Sequence, residues 1–399
     1  MYDVIEKYQI DSCRDAGYLW CMNDVEFPLS GDFVASEDVQ RSVTGILDRW
    51  GVISPWPPIQ TNRLHGLYQE KVTIIFLKSA WAILQTNPYM NRCVQLERDI
   101  FLATAPTGLM QAKVKSRIRQ TSSMHAIIFD VGLYYSLEHF IHAFSTVCRS
   151  KPTTESQLMY LQHNLDPYSL DLSQKEKELD YLADLFAKLV DEGNVFSFAP
   201  QFTKEAERDF CAIFLRDAFC FLLSHEYHHI HLRHFDPSIK LSLHEMEHEA
   251  DQFAFADTCG AIAAFGRPTI GVYYNIMIMF FFFDMLYRSI HLKTTGKNYE
   301  GLSKRLQYLM QLSEKRHPHP RIRRFILSET IYKNAETLPE DFGFSVALLE
   351  RLFLNIWEAT IKKLYAKFTN NNVHVIWKGQ VESDDQAYAQ FRAENGGEV

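Results

Sequence analysis

Residues 221–257 read FLLSHEYHHIHLRHFDPSIKLSLHEMEHEADQFAFAD, and this stretch decides how the chain is organised. Its first part continues the apolar run AIFLRDAFC (212–220) at helical spacing, and Asp236-Pro237 breaks it. Its second part restarts at Ser242, a residue type that caps helix starts by accepting a backbone hydrogen bond. Two helices are therefore predicted, over 203–233 and 241–264. Seven of the 16 histidines fall between 225 and 248.

The centre is His225-Glu226-Tyr227-His228-His229, an H-E-x-x-H. Residues i and i+4 of a helix lie about 40° apart on one face, so His225 and His229 offer two imidazole nitrogens to one metal ion. Glu226 lies about 100° from His225, beside such an ion but too short to compete for it, the place of a general base acting on water. Catalytic zinc wants a third protein ligand and an open position. A histidine supplied after a tight glycine turn is excluded, because the chain has Leu232 and Phe235 there and His234 is out of register. A carboxylate from the second helix remains. Glu247 and Asp251 are again i and i+4: Glu247 would ligate, and Asp251 would accept a hydrogen bond from a ligand imidazole and fix its tautomer. The small Ala250 and Ala254 let the two helices approach closely.

His244 shares a face with Glu247 and is the rival third ligand. With Glu245 and His248 it also spells a second H-E-x-x-H. His228 is read as a helix-face neighbour, His231 and His234 as solvated, and Glu249 as facing solvent. His317 and His319 are candidate oxyanion donors, or else a turn before a helix. Tyr273 and Tyr274 are read as core residues or as donors to a substrate carbonyl. Glu226-x-x-His229 and Glu245-x-x-His248 together also match the paired E-x-x-H of di-iron carboxylate bundles. A metal-holding domain without catalysis, used to bind a partner, is the third reading.

The combination of His225, Glu226 and His229 with Glu247, Ala250 and Asp251 resembles the gluzincin zinc peptidases, which pair H-E-x-x-H with E-x-x-x-D. The short gap from His229 to Glu247 is similar to that of phage-exclusion (Lit-type) peptidases and of ImmA/IrrE-type regulatory peptidases. His317-Pro318 followed by Arg323 or Arg324 is similar to a downstream element of such families. The resemblance implies a zincin-like core of an active-site helix plus a following glutamate helix, with zinc held by His225, His229 and Glu247 and Glu226 as catalytic base. It implies a zinc-dependent endopeptidase acting on one protein or peptide substrate. A Lit-type target would be a translation factor cut in phage defence; an ImmA/IrrE-type target would be a repressor.

Outside this stretch the composition is that of a folded protein: of 399 residues, 47% are hydrophobic, 23% charged and 14% aromatic. Glycine (17) and proline (14) are scarce, which disfavours glycine-rich nucleotide folds and long disorder. The fold class expected is mainly α with a small β-sheet (α+β). Lys plus Arg is 41 against 49 Asp plus Glu, a net charge of −8, so no nucleic-acid partner is expected. The seven cysteines are scattered and form no C-x-x-C pair, which argues against a disulfide framework or thiolate zinc. With no basic-then-apolar start, a cytoplasmic location is expected.

Four regions are expected along the chain. Residues 1–60 form an N-terminal segment ending in Ser54-Pro55-Trp56-Pro57-Pro58, and 61–200 a helical or α+β region. Residues 201–368 carry the metallopeptidase core and C-terminal helices, and 369–399 a short strand (373–377) and polar tail. Helices are also predicted over 66–87, 134–147, 173–192, 300–315, 321–334 and 344–368. Met124–Val131 and Asn194–Ala199 read as strands, each a candidate edge for pairing with an extended substrate. Ile270–Phe283 (IGVYYNIMIMFFFF) is read as a buried helix, with a membrane-surface helix as the competing reading.

Overall fold

The computed structural model describes residues 4, 5, 7–9, 11, 71–90, 100–105, 112–118, 123–148, 171–195, 205–236, 238–264, 269–295, 320–334 and 342–368. Mostly helical with one three-stranded sheet, the chain is α+β. In chain order the elements are α1 (Lys71–Leu84), β1 (Ile100–Ala105), β2 (Ala112–Ile118), β3 (Ser123–Asp130), α2 (Val131–Cys148), α3 (Glu176–Glu192), α4 (Glu205–His231), α5 (Leu243–Ala263), α6 (Thr269–Thr295), α7 (Pro320–Asn334) and α8 (Phe342–Lys367). The expected helix at 300–315, the strand at 373–377, the Pro-rich connector, and His317 and His319 lie outside the described residues.

Strand order is β1-β3-β2. β3 runs parallel to β1 (Ile100↔His125 to Ala105↔Asp130) and antiparallel to β2 (Ala112↔Phe129 to Ile118↔Ser123). This corrects one expectation. Met124–Val131 is the central strand, hydrogen-bonded on both sides, and offers no edge. Its unbroken apolar run Ala126-Ile127-Ile128-Phe129, fully buried, is what a strand covered on both faces requires. Asn194 and Val195 are irregular, and 196–199 lie outside the described residues.

The chain divides into two compact units by its internal contacts. One contains α1, the sheet, α2 up to Glu138, α4, α5 from Glu249 and α6 up to Ile276. Ala103, Ala105, Ala126 and Ile128 on one sheet face pack with Ile5, and Gln9 donates to the Thr104 carbonyl (2.7 Å). Phe129 stacks on Phe219 of α4 (5.8 Å), which anchors that helix to the sheet. Deeper in α4, Arg216 donates twice to Asp217, and Asn275 of α6 donates to the other oxygen of the same carboxylate (2.7 Å). All three are buried, so each charge keeps a partner where water is absent.

The second unit contains α2 from His139, α3, residues Leu241–His248, α6 from Met277, α7 and α8. α3 shows why it forms. Leu179, Leu182, Ala183, Leu185, Phe186, Leu189 and Val190 recur three and four apart and are all buried, and Gly193 ends the helix in the left-handed conformation (φ 69°). Phe281 lies flat on Phe353 of α8 (4.1 Å, 9°), and Phe282 packs on Phe140 and Phe186. Each such pair adds about 0.5–1.5 kcal/mol beyond the area it buries.

The apolar segment 270–283 belongs to a helix of 27 residues. At 1.5 Å per residue it reaches about 40 Å, so length does not separate a core helix from a membrane span. Its burial is what bears on the question: in the most apolar window of Thr269–Lys293, 83% lies inside the protein.

Candidate metal centre

α4 carries His225 and His229 one turn apart, and the structure turns their Nε2 atoms toward each other at 3.1 Å. The rings cross at 88° with centroids 4.7 Å apart. Two nitrogens bound tetrahedrally to one zinc at about 2.05 Å stand roughly 3.4 Å apart, so only a slight opening separates this geometry from a ligating pair. His225 and Glu247 are buried and His229 is half-buried. One donor atom from each of His225, His229 and Glu247 lies within 4.8 Å of the other two, so the group could hold a metal ion. α5 is one continuous helix, and Glu247 stands one turn before Asp251 on it, so its position follows from the pairing of Asp251 with α4. His244, the rival ligand, is half-buried and is not in this group.

The Nδ1 atoms are braced. Asp251 Oδ1 lies 2.9 Å from His225 Nδ1, with both side chains almost wholly buried. The carboxylate makes Nδ1 the protonated nitrogen and leaves the Nε2 lone pair facing the site. His229 Nδ1 lies 2.8 Å from His234 Nδ1, and His234 Nε2 lies 3.3 Å from Glu249 Oε2. One sequence expectation is thereby corrected: His234 is buried rather than solvated. Glu249 is 44% exposed, in keeping with its solvent-facing position, and also turns a carboxylate oxygen to His234.

The reason is the turn after α4. Arg233 adopts a left-handed conformation (φ 55°), His234 N–H bonds the His229 carbonyl (3.1 Å), and Arg233 N–H bonds that of Ile230 (3.0 Å). This closing turn folds the chain back over its last helical turn. A residue with a side chain adopts that conformation at a cost of about 1–2 kcal/mol, so the local sequence does not announce it. His231 is also not solvated: half-buried, it stacks on Tyr227 and meets Tyr89 edge-on.

A second buried pair links the same two helices. His228 Nε2 lies 2.6 Å from Asp257 Oδ2, which also accepts from Ser224 (3.1 Å), and Asn87 donates to Oδ1 (3.3 Å). Burial holds the His228 imidazolium below its ordinary pKa, opposed by the Asp257 hydrogen bond. Gly260 makes room: a Cβ there would meet Asn87 Nδ2 at 2.9 Å.

Around Glu247, Arg323 Nη1 lies 3.4 Å from Oε2, and its guanidinium sits over Phe280. Arg324 is committed elsewhere, to Glu350 and Asp284. Glu245 is exposed and accepts from both the amide and the hydroxyl of Ser242, while Ser242 Oγ accepts from the Glu245 amide. This capping box draws its pKa down and occupies it at the helix start. Glu226 is half-buried beside His225 on α4. Tyr273 is core, packed on Phe255 and Tyr274.

Comparison of the chain with models of protein families, with curated proteins and with solved structures finds no match.

Proposed function

We propose that this protein is a zinc-dependent endopeptidase built on a zincin-like core of α4 and α5. One observation carries the reading: the two histidines of the H-E-x-x-H turn their Nε2 atoms toward each other, 3.1 Å apart, while a carboxylate braces the first ring from behind, which makes the facing nitrogens the lone-pair ones. Facing lone pairs repel, and a cation placed between them removes the conflict. Two nitrogens and one carboxylate form a donor set suited to zinc, with a coordination position left for water or substrate.

Zinc bound there supplies Lewis acidity, bringing the pKa of a water toward about 7 and polarising a peptide carbonyl. The chain's own residues do the rest. Asp251 keeps His225 in its ligating tautomer. Glu226 removes a proton from the attacking water and returns it to the leaving amine as the C–N bond breaks. Burial of His225, Asp251 and Glu247 excludes competing water from the back of the site. The resemblance in the motif extends the reading to one specific protein target, cut in the cytoplasm in phage defence or regulation.

The test is elemental analysis and proteolysis of purified protein, wild type beside Glu226→Gln. The wild type is expected to carry one zinc per chain. The variant should keep the metal and lose activity by about 1,000-fold, within the range that proton transfer contributes. Two irons per chain, or a fully active Glu226→Gln protein, would discard the mechanism.

A further inference from the structure

We propose that His234, backed by Glu249, is a positioning residue that holds His229 in its metal-ligating tautomer; this rests on the metal centre proposed above. Two imidazole nitrogens 2.8 Å apart need one N–H donor and one lone pair between them. Which ring donates is decided at the far end of the chain of bonds. His234 Nε2 faces the Glu249 carboxylate at 3.3 Å, and an ionised carboxylate only accepts. A neutral His234 therefore carries its proton on Nε2 and presents a lone pair at Nδ1. His229 must donate from Nδ1, which leaves its Nε2 lone pair toward His225 Nε2.

The two ligand rings thus reach the same tautomer by different means. Asp251 contacts His225 directly and is buried, whereas the carboxylate behind His229 acts through a second imidazole and lies 44% exposed. A neutral imidazole withdraws less positive charge from its donor than a carboxylate does, so His229 is the less basic ligand. The arrangement is built by the left-handed Arg233, which returns His234 to the last turn of α4.

Two measurements test this. In metal-free wild type labelled with ¹⁵N-histidine, long-range ¹H–¹⁵N correlation should show His229 protonated at Nδ1 and His234 at Nε2. Affinity for Zn²⁺, and for Co²⁺ as a spectroscopic probe, is then measured by chelator competition. His234→Ala should bind about 10- to 100-fold more weakly, the range for a residue hydrogen-bonded to a metal ligand. His234→Asn should recover most of that loss, because its Oδ1 can accept where Nδ1 did. Glu249→Ala should weaken binding in the wild type and change nothing in the His234→Asn background, since the link it serves is gone. Wild-type affinity in His234→Ala, equal losses in the Ala and Asn variants, or His229 protonated at Nε2 would overturn the relay alone. A wild type that binds neither cation would overturn the metal centre and the relay together.

Discussion

α4 and α5 are joined by two buried histidine–aspartate pairs, and only one of them adjoins the group that could hold a metal ion. His225–Asp251 and His228–Asp257 have similar separations, 2.9 and 2.6 Å, and similar burial. They differ in which ring nitrogen is spent. Asp251 takes His225 Nδ1 and leaves Nε2 toward a second imidazole. Asp257 takes His228 Nε2, and the same carboxylate is filled by Ser224 and Asn87. Asp257 thus makes a closed knot that fastens the turn after α1 to α4 and α5, whereas Asp251 orients a candidate metal ligand. A histidine–carboxylate pair can serve a metal only when the other ring nitrogen converges with another donor.

The strongest way to break this contrast is to remove each ring in turn. His225→Ala should abolish stoichiometric zinc, while His228→Ala should keep it; loss of zinc in both, with both proteins folded, would erase the distinction. Removing the carboxylates should separate them by metal affinity. Asp251→Ala should weaken zinc by about 10- to 100-fold, as expected for the partner of a ligand. Asp257→Ala should leave zinc affinity near normal. Each change strands buried donors, on His225 in the first case and on Ser224 and His228 in the second, so both should lose about 1–3 kcal/mol in denaturant unfolding of the metal-free protein. The smallest effect tests how firmly α5 is held at its start: Ser242→Ala should cost about 1 kcal/mol, read as a lower unfolding midpoint.

Much of this was legible in the sequence because it is local. Helical period alone put His225 with His229 and Glu247 with Asp251, and Ser242 with Glu245 marked the start of α5. The long helices from 205 to 295 and the pattern of α3 follow from apolar spacing. Strand β3 was legible as a strand but not as the centre of a sheet, because β1 and β2 pair with it through hydrogen bonds that leave no trace in β3's own residues. The place of His234 is hidden from the sequence for a similar reason. Its helical phase points away from His229, but the turn at Arg233 takes it off the helix.

The sequence by itself determined which side chains share a helical face, because the period of a helix is a property of consecutive residues. Tertiary structure decided which nitrogen of each histidine is used, since a tautomer is set by its hydrogen-bond partner and the carboxylate partners stand 15 to 29 residues away. It also decided that Arg323 rather than Arg324 meets Glu247, and that 83% of the most apolar window of α6 lies inside the protein. Those outcomes depend on what packs against a residue, and the chain places those neighbours far away in sequence.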